Sequence, residues 1–208
     1  MPLTLYKAGA LVGAADKEAV MDLTTMHRAC ASTERVVANV TPEQYGRLTP
    51  CAAWTVHDVL NHLMGTLELG RALLGDTAPA VAVGPGEVPP VDMVGDDPAK
   101  AYRLGVEALL AAADGDALSR SHPTPLGDMP GPVLGGFTTL DILVHGWDLA
   151  AATGQPRALD DDLAEEVLAF ARQAVTDDSR GERIGPAVPV ADDAPPTDRL
   201  VAYLGRTP

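Results

Sequence analysis

Apolar positions in this chain recur at helical spacing. Val56, Val59, Leu60, Leu63, Met64 and Leu67 form one stripe, and Thr55 followed by Asp58 supplies a capping-box-like start. An earlier stretch, Lys17 to Val40, aligns Val20, Leu23, Cys30 and Val37, with Asp16 as the expected N-cap. Thr41-Pro42-Glu43-Gln44 predicts a short helical turn with proline in its first position. Asp97 and Pro98 open a third long helix that runs through Leu104, Leu109 and Leu110 to about Ala113. A fourth is expected from Phe137 to Thr153, stopped by Gly154 and Pro156. Asp160 caps a fifth that ends near Val175, and a last short helix is expected from Thr197 to Leu204, after a proline-rich tail from Gly185 to Pro196. Pro79, Pro85, Pro89 and Pro90 exclude continuous helix between Asp76 and Pro98, which reads as a long surface connection, either a lid or a spacer. His122 to Gly136 has room for a short hairpin. The pattern is that of an all-α helix bundle with long crossovers, without an internal repeat.

Composition agrees with one globular domain: 208 residues, 46% hydrophobic and 21% charged. Residues 1–20 read as an N-terminal extension and 21–208 as a single domain, Met21 being an equally good start. With aromatics at 4%, the core must be built from aliphatic side chains, which suits interdigitating helices. Fifteen Lys+Arg against 29 Asp+Glu give a net charge of -14, which repels phosphate backbones and anionic lipid alike, so neither nucleic acid nor membrane is an expected partner. No apolar run nears the roughly 20 residues that cross a bilayer, and Ala8 to Ala15 is too short and Gly/Ala-rich for a signal-peptide core. The expected location is the cytoplasm. Cys30 and Cys51 amount to neither a disulfide scaffold nor a thiolate cluster, and both are expected to be reduced.

The chemistry concentrates in the fourth helix. Phe137, Leu140, Ile142, Leu143, Val144, Trp147 and Leu149 leave almost no side free of apolar groups, so burial is expected. At about 100° per residue, Asp141, His145 and Asp148 share a sector of roughly 60°. Buried carboxylates require a positive partner, and a divalent cation supplies one; Asp141 and His145 stand in the i, i+4 relation that lets two side chains share a metal. A purely structural Asp–His hydrogen bond explains the same spacing. His62 is the leading third ligand, although it lies on a flank with Thr66, Leu69 and Leu73 away from the centre of its helix's stripe. Among the other histidines, His57 reads as exposed in a first helical turn, His27 as packed on an apolar seam and His122 as incidental in a loop. Cys51 is either activated by a helix terminus or simply a small buried residue. Trp54 and Trp147 either line a pocket or anchor the core. No phosphate-cradling glycine loop, zinc-protease helix or nucleophile elbow is present.

Two segments, TPCAAWTVHDVLNHL from Thr49 to Leu63 and DILVHGWDLA from Asp141 to Ala150 followed by Thr153-Gly154-Gln155, resemble the DinB-like superfamily. Within it they look most like the actinobacterial branch sharing the N-terminal domain of mycothiol-dependent maleylpyruvate isomerase. The ending, Pro186 to Val190 and Asp198 to Leu200, is similar to a largely uncharacterised subfamily of that branch, and the likeness covers about Met21 to Pro208. The resemblance implies an up-down-down-up four-helix bundle with short C-terminal helices and one divalent metal held by His62, Asp141 and His145. Asp141 stands where the isomerase has Glu and is one methylene shorter. No counterpart of that isomerase's additional C-terminal domain is expected.

The implied activity is that of a metal-dependent S-transferase or isomerase, in which a low-molecular-weight thiol such as mycothiol attacks a small electrophile while Asp148 orients His145 or takes a proton. Zinc or nickel suits the donor set best, with iron and manganese as alternatives. A hydrolase or lyase using bound hydroxide, and a noncatalytic metal-stabilised binding protein, remain the competing functions. The chain is expected to act as a monomer or homodimer.

Overall fold

The computed structural model describes residues 21–51, 54–124, 127–177, 180–181 and 184–208. Among them the helices are α1 (Leu23–Val37), α2 (Val56–Leu74), α3 (Pro98–Ala113), α4 (Gly131–Thr153), α5 (Asp161–Ala174) and α6 (Pro196–Tyr203). A 3-10 turn spans Pro42–Gln44, and β1 (Ser121–Thr124) pairs antiparallel with β2 (Gly127–Pro130) in the hairpin expected after His122. Among the described residues the fold is all-α apart from this hairpin and an isolated bridge between Leu48 and Thr55. No described helix is long and apolar enough to cross a membrane.

Capping chemistry sets most of the starts. Thr55 and Asp58 form the capping box of α2, and Asp97 and Asp160 accept from the Lys100 and Leu163 amides at the starts of α3 and α5. Three boundaries differ from expectation. α1 begins at Leu23, where Asp22 accepts the Thr25 amide at 2.8 Å, so a continuous helix from Lys17 is not formed; Asp16 and the expected 1–20 extension lie outside the described residues. It also ends at Val37, because Asn39 turns back to donate to the Arg35 carbonyl at 2.7 Å.

α4 begins at Gly131 rather than Phe137. Glycine costs about 1 kcal/mol per position in a helix interior relative to alanine, which is why Gly131, Gly135 and Gly136 suggest a loop. Close packing offsets that cost. A Cβ on Gly136 would overlap the Phe170 ring, and one on Gly135 would stand 2.7 Å from Leu118 Cδ2.

The packing explains why α4 is apolar on nearly every side. α1 packs on α4 and α3, and α2 packs on α3 and α4, so these four helices close a ring in the order α1, α4, α2, α3; α5 packs on α6 and α4. Ile142 and Leu149 belong to an apolar cluster shared with α1, α2 and α3. Leu140, Leu143 and Val144 belong to a second one, with α5 and α6. α4 is therefore the wall between two cores. Each fully buried aliphatic side chain contributes about 1.5–3 kcal/mol, so a helix loaded from both sides holds its register firmly. That register aims Asp141, His145 and Asp148.

Candidate metal centre

His62 from α2 meets Asp141 and His145 from α4. His62 Nε2 lies 2.9 Å from Asp141 Oδ2, and His145 Nε2 lies 3.3 Å from Asp141 Oδ1. The two imidazoles stand edge to face with ring centroids 4.7 Å apart. One ligand atom from each of the three residues falls within 4.8 Å of the others. His62 and His145 are buried, whereas the Asp141 side chain is 32% exposed, so the carboxylate marks the open side of the cluster. His62 reaches it from the flank of the α2 stripe because α4 covers that flank.

The outer ring nitrogens are already committed. His62 Nδ1 donates to the Glu87 carbonyl at 2.7 Å, and His145 Nδ1 donates to Asp148 Oδ2 at 3.0 Å. Each Nε2 therefore faces the Asp141 carboxylate, and a positive centre, either a proton or a shared cation, must separate lone pair from lone pair. Ligand atoms bound to one tetrahedral cation at about 2.0–2.1 Å lie about 3.3 Å apart. The two histidine-to-carboxylate separations, 2.9 and 3.3 Å, lie near that value, and all three ligand atoms fall within 4.8 Å of one another. Two imidazoles and one carboxylate also form a donor set that leaves a coordination position open. The residues present thus fit a divalent cation.

The surrounding charges couple the three residues to one another. Burial alone would raise the Asp141 carboxyl, but His62 and His145 hold it well below the usual carboxylate range. Burial opposes a charge on His145, yet Asp141 first and then Asp148 push it up to about 9. Asp148, fully buried, is likewise opposed by burial and held low by His145 and Arg206. Arg206 answers Asp148, donating from Nη2 at 2.8 Å and Nε at 3.3 Å. Asp141 is left as the negative charge without a permanent cationic partner in the cluster.

Several participants carry no local sequence signal of their role. Arg206 follows α6 and is only 8% exposed. Thr66 donates to Asp141 Oδ2 at 2.6 Å; its i, i+4 relation to His62 was the available clue. Asn61 fastens the proline-rich connection, donating to the Pro89 and Val91 carbonyls at 3.2 and 2.9 Å and accepting the Met93 amide at 2.7 Å. Pro89 lies so close to α2 that a Cβ on Gly65 would stand 2.7 Å from its Cγ. The connection is thereby strapped to α2, which presents the Glu87 carbonyl to His62. Asn61→Ala is expected to lower stability by about 1–3 kcal/mol and to accelerate hydrogen exchange at the Met93 amide; unchanged exchange there would show that the strap does not depend on Asn61.

Trp54 packs over both imidazoles, its ring centroid 4.8 Å from that of His62 and 5.7 Å from that of His145. Cys51 forms a second close group with His145 and Asp148. Burial pushes its thiol up to about 11, so a helix-terminal field does not activate it, and Asp148 is already engaged by Arg206 and His145. His57 is half-buried beside Tyr45, 3.6 Å from Asp92. His27 is exposed rather than packed. His122 is not incidental: it is fully buried in β1, with Nδ1 2.8 Å from Asp76 and Nε2 2.7 Å from the Ala117 carbonyl, and it ties the hairpin to the end of α2.

The chain is similar to known proteins. The model of the mycothiol maleylpyruvate isomerase N-terminal domain matches residues 26–150, a span containing His62, Asp141, His145 and Asp148 but not Arg206. Two proteins from strains of Mycobacterium tuberculosis, both described as uncharacterized, are 40% identical over 195 residues, covering 90% of this chain and 99% of their own. The crystal structure of the mycothiol-dependent maleylpyruvate isomerase is similar in fold, with a TM-score of 0.53 at 18% identity, over 71% of this chain and 65% of that one. On the strength of the matched domain and the length of the mycobacterial likeness, this chain belongs to the mycothiol maleylpyruvate isomerase N-terminal domain family.

Proposed function

We propose that this protein is a divalent-metal-dependent enzyme that joins a low-molecular-weight thiol of the mycothiol type to a small electrophile, as an S-transferase or isomerase. The observation that carries this reading is the convergence of His62 Nε2, His145 Nε2 and the Asp141 carboxylate while both Nδ1 atoms are held by other partners. Family membership supports the thiol. A bound cation would lower the pKa of a coordinated thiol and so supply a thiolate at neutral pH. Zinc or nickel is the favoured metal, ahead of iron or manganese.

The chain's own residues have separable tasks. Asp148, braced by Arg206, holds the His145 ring by its Nδ1 proton, and the Glu87 carbonyl does the same for His62. Thr66 fixes one oxygen of Asp141. Trp54 shields the faces of both imidazoles from water. Asp141 faces outward, which leaves the approach of a thiol and its electrophile on that side.

The test combines metal analysis with cobalt substitution. Gently purified protein is expected to hold about one divalent ion per chain, and His62→Ala and His145→Ala are each expected to lose it. Titrating thiol into the cobalt form should add a sulfur-to-cobalt charge-transfer band. Unchanged bands would overturn the thiol role. Turnover without thiol would favour a hydrolase or lyase, and metal-dependent melting without turnover on a broad electrophile panel would favour a binding protein.

A further inference from the structure

A cavity of about 260 Å³ lies between α1, α4 and the segment after α4. Leu143, Gly146, Trp147 and Ala150 form its α4 wall. At about 100° per residue, these positions centre roughly opposite Asp141, His145 and Asp148. The cavity and the metal cluster therefore occupy different faces of one helix.

Its lining is unusual for so acidic a chain. Asp+Glu outnumber Lys+Arg by 29 to 15, yet no Asp or Glu lines this cavity, while Arg35 and Arg157 both do. Elsewhere among the described residues Arg28, Arg71, Arg120 and Arg206 pair with carboxylates while Arg47, Arg103 and Arg172 do not, so what sets Arg35 and Arg157 apart is that they share one acid-free cavity. Among the described residues neither Arg35 nor Arg157 has a carboxylate partner. Arg35 reaches the Ser32 hydroxyl at 3.4 Å, and the Arg157 guanidinium carbon stands 5.5 Å from the centroid of the Trp147 ring. Asn39 and Gln155 add amide groups, and Val36, Leu143 and Leu159 add apolar surface.

We propose that this cavity binds a small monocarboxylate with an apolar, preferably aromatic, body. A guanidinium presents a planar fork of donors that matches a carboxylate, and two of them without acidic partners create a local positive field. The apolar walls accept the rest of the molecule. The volume falls below the about 300–1,000 Å³ of drug-sized pockets, so a single ring or a short branched chain is the fitting size. This site stands independently of the metal-centred reading.

Benzoate and its neutral analogue benzamide test the assignment, titrated into the full chain by proton–nitrogen NMR with the Trp147 indole N–H as reporter, distinguished from that of Trp54 by a Trp54→Phe variant. Benzoate is expected to shift the Trp147 signal saturably. Benzamide should bind about tenfold more weakly or worse, and benzoate should lose about tenfold or more in the Arg35→Gln/Arg157→Gln variant. Both arginines are exposed, so these changes leave the core intact. Benzoate affinity should be unchanged in His62→Ala. Equal binding of benzamide, benzoate affinity indifferent to the arginine changes, shifts confined to Trp54, or loss of binding in His62→Ala would each overturn the proposal.

Discussion

Arg206→Ala is expected to lower the unfolding free energy by about 3–5 kcal/mol, the cost of leaving a buried carboxylate without its cation. Asp148 is fully buried and accepts from Arg206 through both oxygens, Oδ2 also receiving His145 Nδ1. Removing the guanidinium leaves the charge in the interior with the His145 imidazole as its one remaining side-chain donor. Burial, now less opposed, would drive the Asp148 carboxyl upward from its lowered position. Arg206→Lys should restore only part of the loss, because one ammonium cannot span both oxygens as a guanidinium does. Adding Asp148→Asn to Arg206→Ala should recover a substantial share, since the stranded charge is then gone. Denaturant unfolding of the parent, Arg206→Ala, Asp148→Asn and the double variant closes a double-mutant cycle that measures the coupling. A loss below about 1 kcal/mol for Arg206→Ala would mean that Asp148 is not dependent on this pair.

The second large effect concerns helix contact. Gly146→Ala should destabilise by about 2–4 kcal/mol, from overpacking and a disturbed hydrogen bond. On helix propensity alone the same change would stabilise by about 1 kcal/mol, so the sign decides which effect governs. A Cβ on Gly146 would overlap Thr33 Oγ1 and stand 3.0 Å from Thr33 Cβ. Thr33 is 1% exposed, and its hydroxyl donates to the Ile142 carbonyl at 2.9 Å. As a β-branched residue it has few alternative rotamers. α1 and α4 must then separate, or Thr33 must give up its bond. Thr33→Ala in the Gly146→Ala background should recover part of the stability by removing the atoms that collide. A neutral or stabilising Gly146→Ala would show that the two helices tolerate wider spacing.

Local chemistry made much of this molecule legible. The starts of α2, α3 and α5 follow from Thr55, Asp97 and Asp160, because a cap is settled within a few residues. The common face of Asp141, His145 and Asp148 follows from helix periodicity. What escaped depends on distant contact. Gly131 to Gly136 disguise the first turns of α4, since their value lies in the approach of Ala117, Leu118 and Phe170. Arg206 sits 58 positions from Asp148, and nothing in its neighbours marks it as buried. His122 reads as incidental until Asp76 and Ala117 are brought to it. Asn61 shows no sign of its role beside the more conspicuous His62, because what it holds is main chain. In each case the deciding partner belongs to another element.

The bond from His62 to residue 87 ends on a peptide oxygen. Every amino acid provides that atom. Point changes in this connection can accordingly accumulate without retuning the imidazole, provided the backbone path survives, whereas a deletion that shortens the path would move the oxygen itself. Side chains along the segment can thus change while the histidine beneath keeps its orientation, because the contact that fixes it belongs to the main chain.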